Sequence, residues 1–139
     1  MPNNHFTVEI VSADRKLYSG EAVSITIPGA DGYFGVLRGH APLVSAMMIG
    51  EITITPPDNK PPIIFAVSGG FAEVSAEHVV ILADTAELAE EIDVERARLA
   101  KERAEERLQE AGGDIDVTRA QAALMRAINR LRVATRRGL

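Results

Sequence analysis

At 139 residues the chain is long enough for one ordinary domain or two small ones. Its net charge of −5 argues against nucleic acid as a partner, because phosphate backbones bind to basic surfaces. The absence of cysteine excludes a disulfide framework, a thiolate metal site and a cysteine nucleophile. The N-terminal residues lack the pattern of a signal peptide, and no apolar run approaches the roughly 18 residues that span a bilayer, so we expect no direct membrane insertion.

The first part of the chain, up to Asp84, has the pattern of β-strands. Phe6, Val8 and Ile10 alternate with polar residues, which is typical of a strand with one buried face. Further short apolar segments follow between turn residues, at 23–27, 33–37, 43–49, 51–55, 63–67, 71–74 and 79–82. Eight to ten short strands at this spacing predict an antiparallel β-sandwich or a flattened barrel.

The second part, from Glu87 onward, contains no proline and has the pattern of two helices. Asp93 is a candidate N-cap of the first helix and Gly112-Gly113 its candidate end, while Asp116 is a candidate N-cap of the second. The apolar seam of the second helix recurs at alternating steps of three and four residues and is rich in alanine. Such a seam buries little apolar area, so we expect a helical hairpin that opens easily.

Charge separates the two helices. Residues 87–116 contain eleven acids and five bases, whereas residues 117–139 contain six arginines and no acid. Antiparallel helices of opposite charge attract, but exposed ion pairs contribute only about 0–1 kcal/mol each. We therefore expect a weak hinge and a basic last helix that is suited to docking on an acidic partner surface.

The candidate catalytic residues are few. His40 lies in a Gly-His-Ala-Pro turn without convergent partners, so a structural histidine is the better interpretation. Ser68-Gly69-Gly70 lacks the lysine and the strand-to-helix context of a phosphate loop, so we expect close backbone packing there. No Ser-His-Asp set, carboxylate pair or metal-ligand set is visible, which predicts a non-catalytic chain without a metal site.

Five segments together carry a resemblance to a known family. They are Gly35-Val36-Leu37-Arg38-Gly39-His40-Ala41-Pro42-Leu43, Val67-Ser68-Gly69-Gly70-Phe71-Ala72-Glu73-Val74, Ile81-Leu82-Ala83-Asp84, Ile92-Asp93-Val94-Glu95-Arg96-Ala97 and Arg126-Ala127-Ile128-Asn129-Arg130-Leu131. In this order and spacing they resemble the epsilon subunit of bacterial F-type ATP synthases, a part of the rotating central stalk. The resemblance spans nearly the whole chain.

The resemblance implies a fold and a set of partners. We expect a ten-stranded antiparallel β-sandwich at residues 1–86 that binds the gamma subunit and the c-subunit ring, followed by a two-helix antiparallel hairpin at residues 87–139. The hairpin either folds down on the sandwich or extends toward the alpha and beta subunits, where it inhibits ATP hydrolysis. The family also implies a peripheral, non-catalytic subunit at the cytoplasmic face of the bacterial plasma membrane.

The resemblance also assigns site residues. Some members of the family bind ATP, which favours the folded-down hairpin, through a motif that stands here at residues 92–97. The implied ATP-binding residues are Glu87, Ile92, Asp93, Arg96, Ala97, Arg103, Arg126 and Arg130. Guanidinium groups from two helices can bind a polyphosphate bidentately, and the free N–H groups at a helix start add a favourable field. ATP, with or without Mg²⁺, is then a regulatory ligand, and no cofactor is required.

Two further sets of contacts follow from the resemblance. Asp31 and Tyr33 lie on the loop that faces the c ring, although relatives carry an acid where Tyr33 stands, and a simple turn role is the alternative. The candidates for the inhibitory contact are Arg126, Arg130, Arg132 and Arg136. Without the resemblance, the arginines are interpreted as a solvated helix face with intrahelical ion pairs. A free-standing ATP-sensing module is the alternative function, and an enzyme is the weakest hypothesis.

Overall fold

The computed structural model describes residues 3–110 and 116–136. Eight strands come first: β1 (Phe6–Ser12), β2 (Arg15–Ala22), β3 (Ser24–Gly29), β4 (Gly32–Val36), β5 (Leu43–Thr55), β6 (Ile63–Val74), β7 (His78–Ala83) and β8 (Ala86–Leu88). A 3₁₀ turn at Ala89–Glu91 then leads into two helices, α1 (Val94–Gln109) and α2 (Val117–Ala134). Alternate residues of β1 are buried, as the period-2 pattern predicts.

The strands form one hydrogen-bonded sheet that folds into a sandwich. Its order is β2-β1-β7-β6-β5-β3-β4, and β8 pairs with the first half of β6. Strands β1 and β7 are parallel, whereas the other pairs are antiparallel. The predicted sandwich followed by two helices is therefore confirmed, with one parallel pair inside an otherwise antiparallel sheet.

The described residues contain eight strands rather than ten, because predicted segments merge. Segments 43–49 and 51–55 join in β5, and segments 63–67 and 71–74 join in β6. Gly70 has a φ of +121°, which lets β6 bend and continue. Strands β2 and β8 lie outside the predicted segments, since their side chains are mostly half-buried or exposed and show no apolar alternation.

The main hydrophobic core lies inside the sandwich. Its largest fully buried side chains include Phe65, Ile10, Ile25 and Ile52. Half-buried Tyr18 packs edge-on against Phe65 with ring centroids 5.9 Å apart, and burial raises the pKa of its hydroxyl. Full burial of one such apolar side chain contributes about 1.5–3 kcal/mol, so this core makes the sandwich the stable part of the molecule.

Both predicted N-caps are confirmed. The Asp93 carboxylate accepts a hydrogen bond from the backbone N–H of Arg96 at 3.0 Å, and Asp116 accepts one from Arg119 at 3.1 Å. The predicted helix end at Gly112-Gly113 lies outside the described residues. Neither described helix is long and apolar enough to cross a membrane.

The helices pack along one another through alanine. Ala97 and Ala104 of α1 and Ala120 and Ala127 of α2 are buried. Because only residues 110–116 connect two helices that pack side by side, the helices are antiparallel neighbours. Small side chains bring the two backbones close but bury little apolar area, as the sequence predicts.

The hairpin is docked on the outside of the sheet. Val133 and Ala134 of α2 form a second, smaller core with Ala66, Ala89 and Ile92. We call these five residues the docking core. Because three of them are alanine, the docking core holds the hairpin with much less apolar area than the sandwich buries inside itself.

We expect Gly70→Ala to destabilise the sandwich by about 2 kcal/mol or more. A Cβ atom at Gly70 would lie 2.1 Å from the carbonyl oxygen of Leu82, and the φ of +121° disfavours any side chain. The close backbone packing predicted for this segment is thus confirmed. Gly35→Ala is the matched control, since no described atom lies within 4 Å of its added Cβ. Urea unfolding followed by circular dichroism compares the two variants, and equal stabilities would contradict the steric argument.

Candidate functional site

A cleft of about 660 Å³ opens between the hairpin and the outer face of the sheet. Both helices line one side, while β6 and β8 contribute residues such as Val67 and Glu87 to the other. Six arginines line it: Arg96, Arg103, Arg107, Arg119, Arg126 and Arg130. We call this space the arginine cleft. Because its walls come from the sheet and from the hairpin, it has this shape only while the hairpin is docked.

Helical periodicity explains why the six arginines share one cleft. On α1, Arg96, Arg103 and Arg107 are separated by steps of seven and four residues. The three arginines of α2 follow the same steps. Residues four and seven apart lie on one face of a helix with 3.6 residues per turn. Each helix therefore presents a row of guanidinium groups to the same space.

Few carboxylates face the arginine cleft. Glu87 is the acidic residue among its lining side chains, and it binds Arg130 bidentately, with Nε–Oε1 at 2.8 Å and the second N–O pair at 3.2 Å. Within residues 3–110 and 116–136, the other five arginines of the cleft form no ion pair. The lining thus carries a formal excess of five positive charges.

The glutamates of α1 lie outside the cleft. Arg98, which does not line the cleft, binds Glu95 and Glu102, the latter at 2.5 Å. The hydrogen bond from Arg98, together with its charge, lowers the pKa of Glu95. The sequence of α2 contains no acid. This separation of charge leaves the arginine cleft suited to a multivalent anion.

Five of the eight predicted ATP-binding residues line the arginine cleft. They are Glu87, Arg96, Arg103, Arg126 and Arg130. The other three do not line it and instead shape the start of α1. Ile92 is buried in the docking core, Asp93 caps the helix, and Ala97 is buried in the helix seam. These three residues therefore fix the position of the first turn, from which Arg96 reaches the cleft.

Five polar residues of the lining were not predicted from the sequence: Ser68, Thr85, Arg107, Arg119 and Asn129. The seven-and-four spacing is a signal that could have revealed the two arginines. The hydroxyl groups of Ser68 and Thr85 hydrogen-bond to each other across the sheet wall. Ser68 and Thr85 come together because β6 pairs with β8, and such a pairing cannot be predicted from sequence periodicity.

Asn129 connects α2 to the sheet at one side of the cleft. It is only 7% exposed, and its amide donates to the carbonyl oxygens of Gly50 at 2.9 Å and Val67 at 3.5 Å. Gly50 and Val67 are register partners on β5 and β6, so one amide contacts both strands. A buried polar group left without its partner costs about 1–3 kcal/mol, so this side chain favours one seating of α2 on the sheet.

A second polar contact lies just beyond α2. Arg136 binds the mostly buried carboxylate of Glu51 on β5 at 2.5 Å. This pair and the two described above all join the hairpin to the sheet or to β8. We call them the docking contacts: Asn129 with Gly50, Arg130 with Glu87, and Arg136 with Glu51.

The predicted c-ring residues lie at the turn between β3 and β4. Asp31 is exposed in the turn, and Tyr33 is 57% exposed at the start of β4. The Tyr33 hydroxyl accepts a hydrogen bond from the backbone N–H of Glu51 at 3.0 Å. The phenol ring is thus held in place while much of its surface faces solvent, and both residues are accessible.

The predicted inhibitory arginines fall into two groups in the docked hairpin. Arg132 is exposed to solvent. Arg130 and Arg136 are engaged in docking contacts, and Arg126 lines the arginine cleft. Docking therefore occupies or turns inward three of the four side chains.

A strip of exposed apolar side chains crosses the outer face of β5, β6 and β7. Val44 and Phe71 are 68% and 55% exposed, and Met48 and Leu82 are also exposed. Phe71 has Ala46 and Leu82 as its register partners on the two neighbouring strands, so the strip is contiguous. We call Val44, Met48, Phe71 and Leu82 the apolar face. Contiguous exposed apolar surface commonly marks a protein–protein contact.

Comparison with known proteins identifies the family. Residues 5–89 match the family model of the ATP synthase delta/epsilon chain β-sandwich domain, and residues 90–135 match that of its long α-helix domain. An ATP synthase epsilon chain of Desulforamulus reducens is 47% identical over 127 residues, covering 91% of this chain and 95% of the relative. One of Salinibacter ruber is 49% identical, covering 94% and 93%.

A solved structure agrees with these relatives. A chain in the cryo-EM structure of Euglena gracilis mitochondrial ATP synthase, OSCP/F1/c-ring, has a TM-score of 0.76 at 26% identity, covering 94% of this chain and 81% of that one. Sandwich, hairpin and matched sequence together define a non-catalytic stalk subunit. The chain belongs to the ATP synthase delta/epsilon chain family.

We expect Asn129→Leu to weaken docking of the hairpin by about 1–3 kcal/mol, because the buried carbonyl groups of Gly50 and Val67 would lose their amide donor. Hydrogen–deuterium exchange measures this as faster exchange of α2 amides while the strands stay protected. Gln121→Leu is the matched control, since it removes an exposed amide from the same helix. Identical exchange in the two variants would contradict a docking role for Asn129.

Proposed function

We propose that the chain is the epsilon subunit of an ATP synthase central stalk, which couples the catalytic head to the c ring and regulates ATP hydrolysis through its hairpin. The sandwich binds the gamma subunit and the c ring, and the hairpin exchanges between a docked and an extended position. ATP in the arginine cleft favours the docked position. The arginine cleft is the observation that carries this proposal, because a ligand there contacts the sheet and both helices together.

The chemistry of the cleft suits a nucleoside triphosphate. Arg96, Arg103 and Arg126 bring guanidinium groups from two helices, and such groups bind phosphate oxygens bidentately. The hydroxyl groups of Ser68 and Thr85 on the sheet wall are hydrogen-bond partners for a ribose or a base. Mg²⁺ enters with the nucleotide in this proposal and needs no site of its own on the chain.

Ligand binding is coupled to docking because extension of the hairpin would separate the walls of the cleft. A ligand shifts such an equilibrium only by its difference in affinity for the two positions. A ligand that binds the docked form alone, at a hundred times its Kd, contributes about 2.7 kcal/mol. That is similar to the sum of a few hydrogen bonds and ion pairs like the docking contacts, so ATP can decide the position of the hairpin.

The docking contacts also support the proposed inhibition by the extended hairpin. Release of Arg130 and Arg136 from Glu87 and Glu51 would free two cations, one on α2, which has no acid, and one just beyond its end. Together with Arg126 and the exposed Arg132, they form a basic surface for acidic regions of the alpha and beta subunits. In the docked hairpin, Arg126 lines the cleft and Arg130 and Arg136 bind Glu87 and Glu51, so docking withholds three of these four side chains from the inhibitory contact.

The sandwich offers two partner surfaces. The apolar face is suited to the gamma subunit, because burial of contiguous apolar side chains drives stable association. Asp31 and Tyr33 form the accessible tip that we assign to the c ring. Through these partners the chain is peripheral to the membrane, at its cytoplasmic face. An exposed apolar face favours this assembled subunit over a free-standing ATP sensor.

We expect Arg126→Ala to weaken ATP binding by about 1.5–3 kcal/mol, or roughly 10- to 150-fold in Kd, because a charged hydrogen bond to phosphate is lost. Calorimetric titration of the isolated chain, with and without Mg²⁺, measures the change. Arg98→Ala is the matched control, because Arg98 lies outside the cleft and binds Glu95 and Glu102. Saturable ATP binding that is equally sensitive to both substitutions, or to neither, would place the nucleotide elsewhere.

We expect removal of residues 94–139 to abolish inhibition of ATP hydrolysis while assembly is retained, because the main core and the apolar face lie in the sandwich. The assay adds full-length or shortened chain to an ATP synthase complex that lacks this subunit, then measures ATPase activity and copurification with gamma. Asn129→Leu in the full chain is the companion variant and should inhibit more strongly than the natural sequence. Undiminished inhibition by the shortened chain would exclude the hairpin as the inhibitory element.

A further inference from the structure

We propose that the arginine cleft extends past the proposed nucleotide site into a second phosphate subsite, formed by Arg107 and Arg119, which takes the additional phosphates of a linear polyphosphate chain longer than a triphosphate. The inference rests on the proposed function, since it concerns the same cleft. It adds a ligand class and two residues that the nucleotide motif does not contain.

The placement of the arginines along the hairpin carries the inference. In antiparallel helices, Arg96 at the start of α1 lies at the level of Arg130 near the end of α2, next to Glu87. Arg107 and Arg119 lie at the opposite end, close to the connection between the helices. Eleven residues separate the two ends on each helix, which corresponds to about 16 Å at 1.5 Å per residue. This length exceeds that of one triphosphate.

Charge makes the far end of the cleft an anion site. Arg107 and Arg119 line the cleft, yet neither forms an ion pair with any residue in the described ranges 3–110 and 116–136. Glu87, the lining carboxylate, is already bound by Arg130 at the other end. Guanidinium groups that share a cleft without counter-charges repel one another, and bound phosphate relieves that repulsion.

The neutral part of the lining leaves room for a chain of phosphates. Between the two rows of arginines lie the small side chains of Ala100, Ala104, Ala120, Ala123 and Ala127. Alanine neither fills the cleft nor offers a competing acid. A linear anion lying along this alanine strip would contact a guanidinium group on either side throughout the length of the cleft.

Calorimetric titration of the full chain with ATP, tripolyphosphate and a linear polyphosphate twice as long tests the subsite. We expect the longer chain to bind the natural sequence at least about tenfold more tightly than tripolyphosphate does. This difference corresponds to one additional charged hydrogen bond. The double variant Arg107→Gln/Arg119→Gln should lose this preference, because its affinity for the longer chain should fall more than its affinity for ATP or tripolyphosphate. Both side chains are exposed, and thermal unfolding checks that the variant is folded.

Arg98→Gln/Arg132→Gln is the matched control, because it removes the same charge from the same two helices at positions outside the cleft. Retention of the length preference in this control supports the subsite over a general charge effect. Equal loss in both double variants, or no length preference in the natural chain, overturns the inference even when ATP binds. Preference for the long chain without any ATP binding would instead support the subsite and overturn the nucleotide proposal.

Discussion

The contact between α2 and the sheet is the interaction on which the other features depend. It consists of the five residues of the docking core and three polar docking contacts, among them the buried amide of Asn129. The contacts of α2 with Gly50, Ala66 and Val67 determine which face of α2 turns toward the sheet. The shape of the arginine cleft and the positions of the guanidinium groups of α2 depend on this contact. If α2 leaves the sheet, the cleft loses one wall.

This contact contributes little free energy because of the residues that form it. Alanine contributes little apolar area both between the helices and toward the sheet, and the ion pairs of Arg130 and Arg136 are partly exposed to solvent. The sandwich beneath is held by large, fully buried side chains, and its core contains no residue of either helix. Because the hairpin is held more weakly than the sandwich, the hairpin would be able to leave the sheet without unfolding of the whole chain. Local differences in stability of this kind are common in regulatory elements.

Local patterns predicted much of the fold, whereas long-range contacts could not be predicted. Period-2 alternation revealed β1, and the N-cap chemistry of Asp93 and Asp116 placed the starts of both helices, because these signals lie within a few residues. The merging of four segments into β5 and β6 escaped prediction, since glycine usually interrupts a strand. The partners of Asn129 and Arg136 lie 79 and 85 residues away, and no periodicity encodes such pairings. Within the candidate site, the family resemblance supplied Glu87 and four of the six arginines, whereas the remaining lining residues, Ser68 and Thr85 of the sheet wall among them, were not predicted.

The distribution of charge connects the two proposed roles of α2. The arginines of α2 and the adjoining Arg136 have no acid on that helix, so their counter-charges come from elsewhere: from Glu87 and Glu51 and, in the proposed function, from a bound polyphosphate or a partner protein. These sources compete for the same guanidinium groups. In the proposed function, an anion that binds only the docked form would add RT ln(1 + [L]/Kd) to the stability of that form and would withdraw these arginines from the partner. The proposed regulation then needs no additional residues, because the same arginines cannot bind the docked-state anions and a partner protein at the same time.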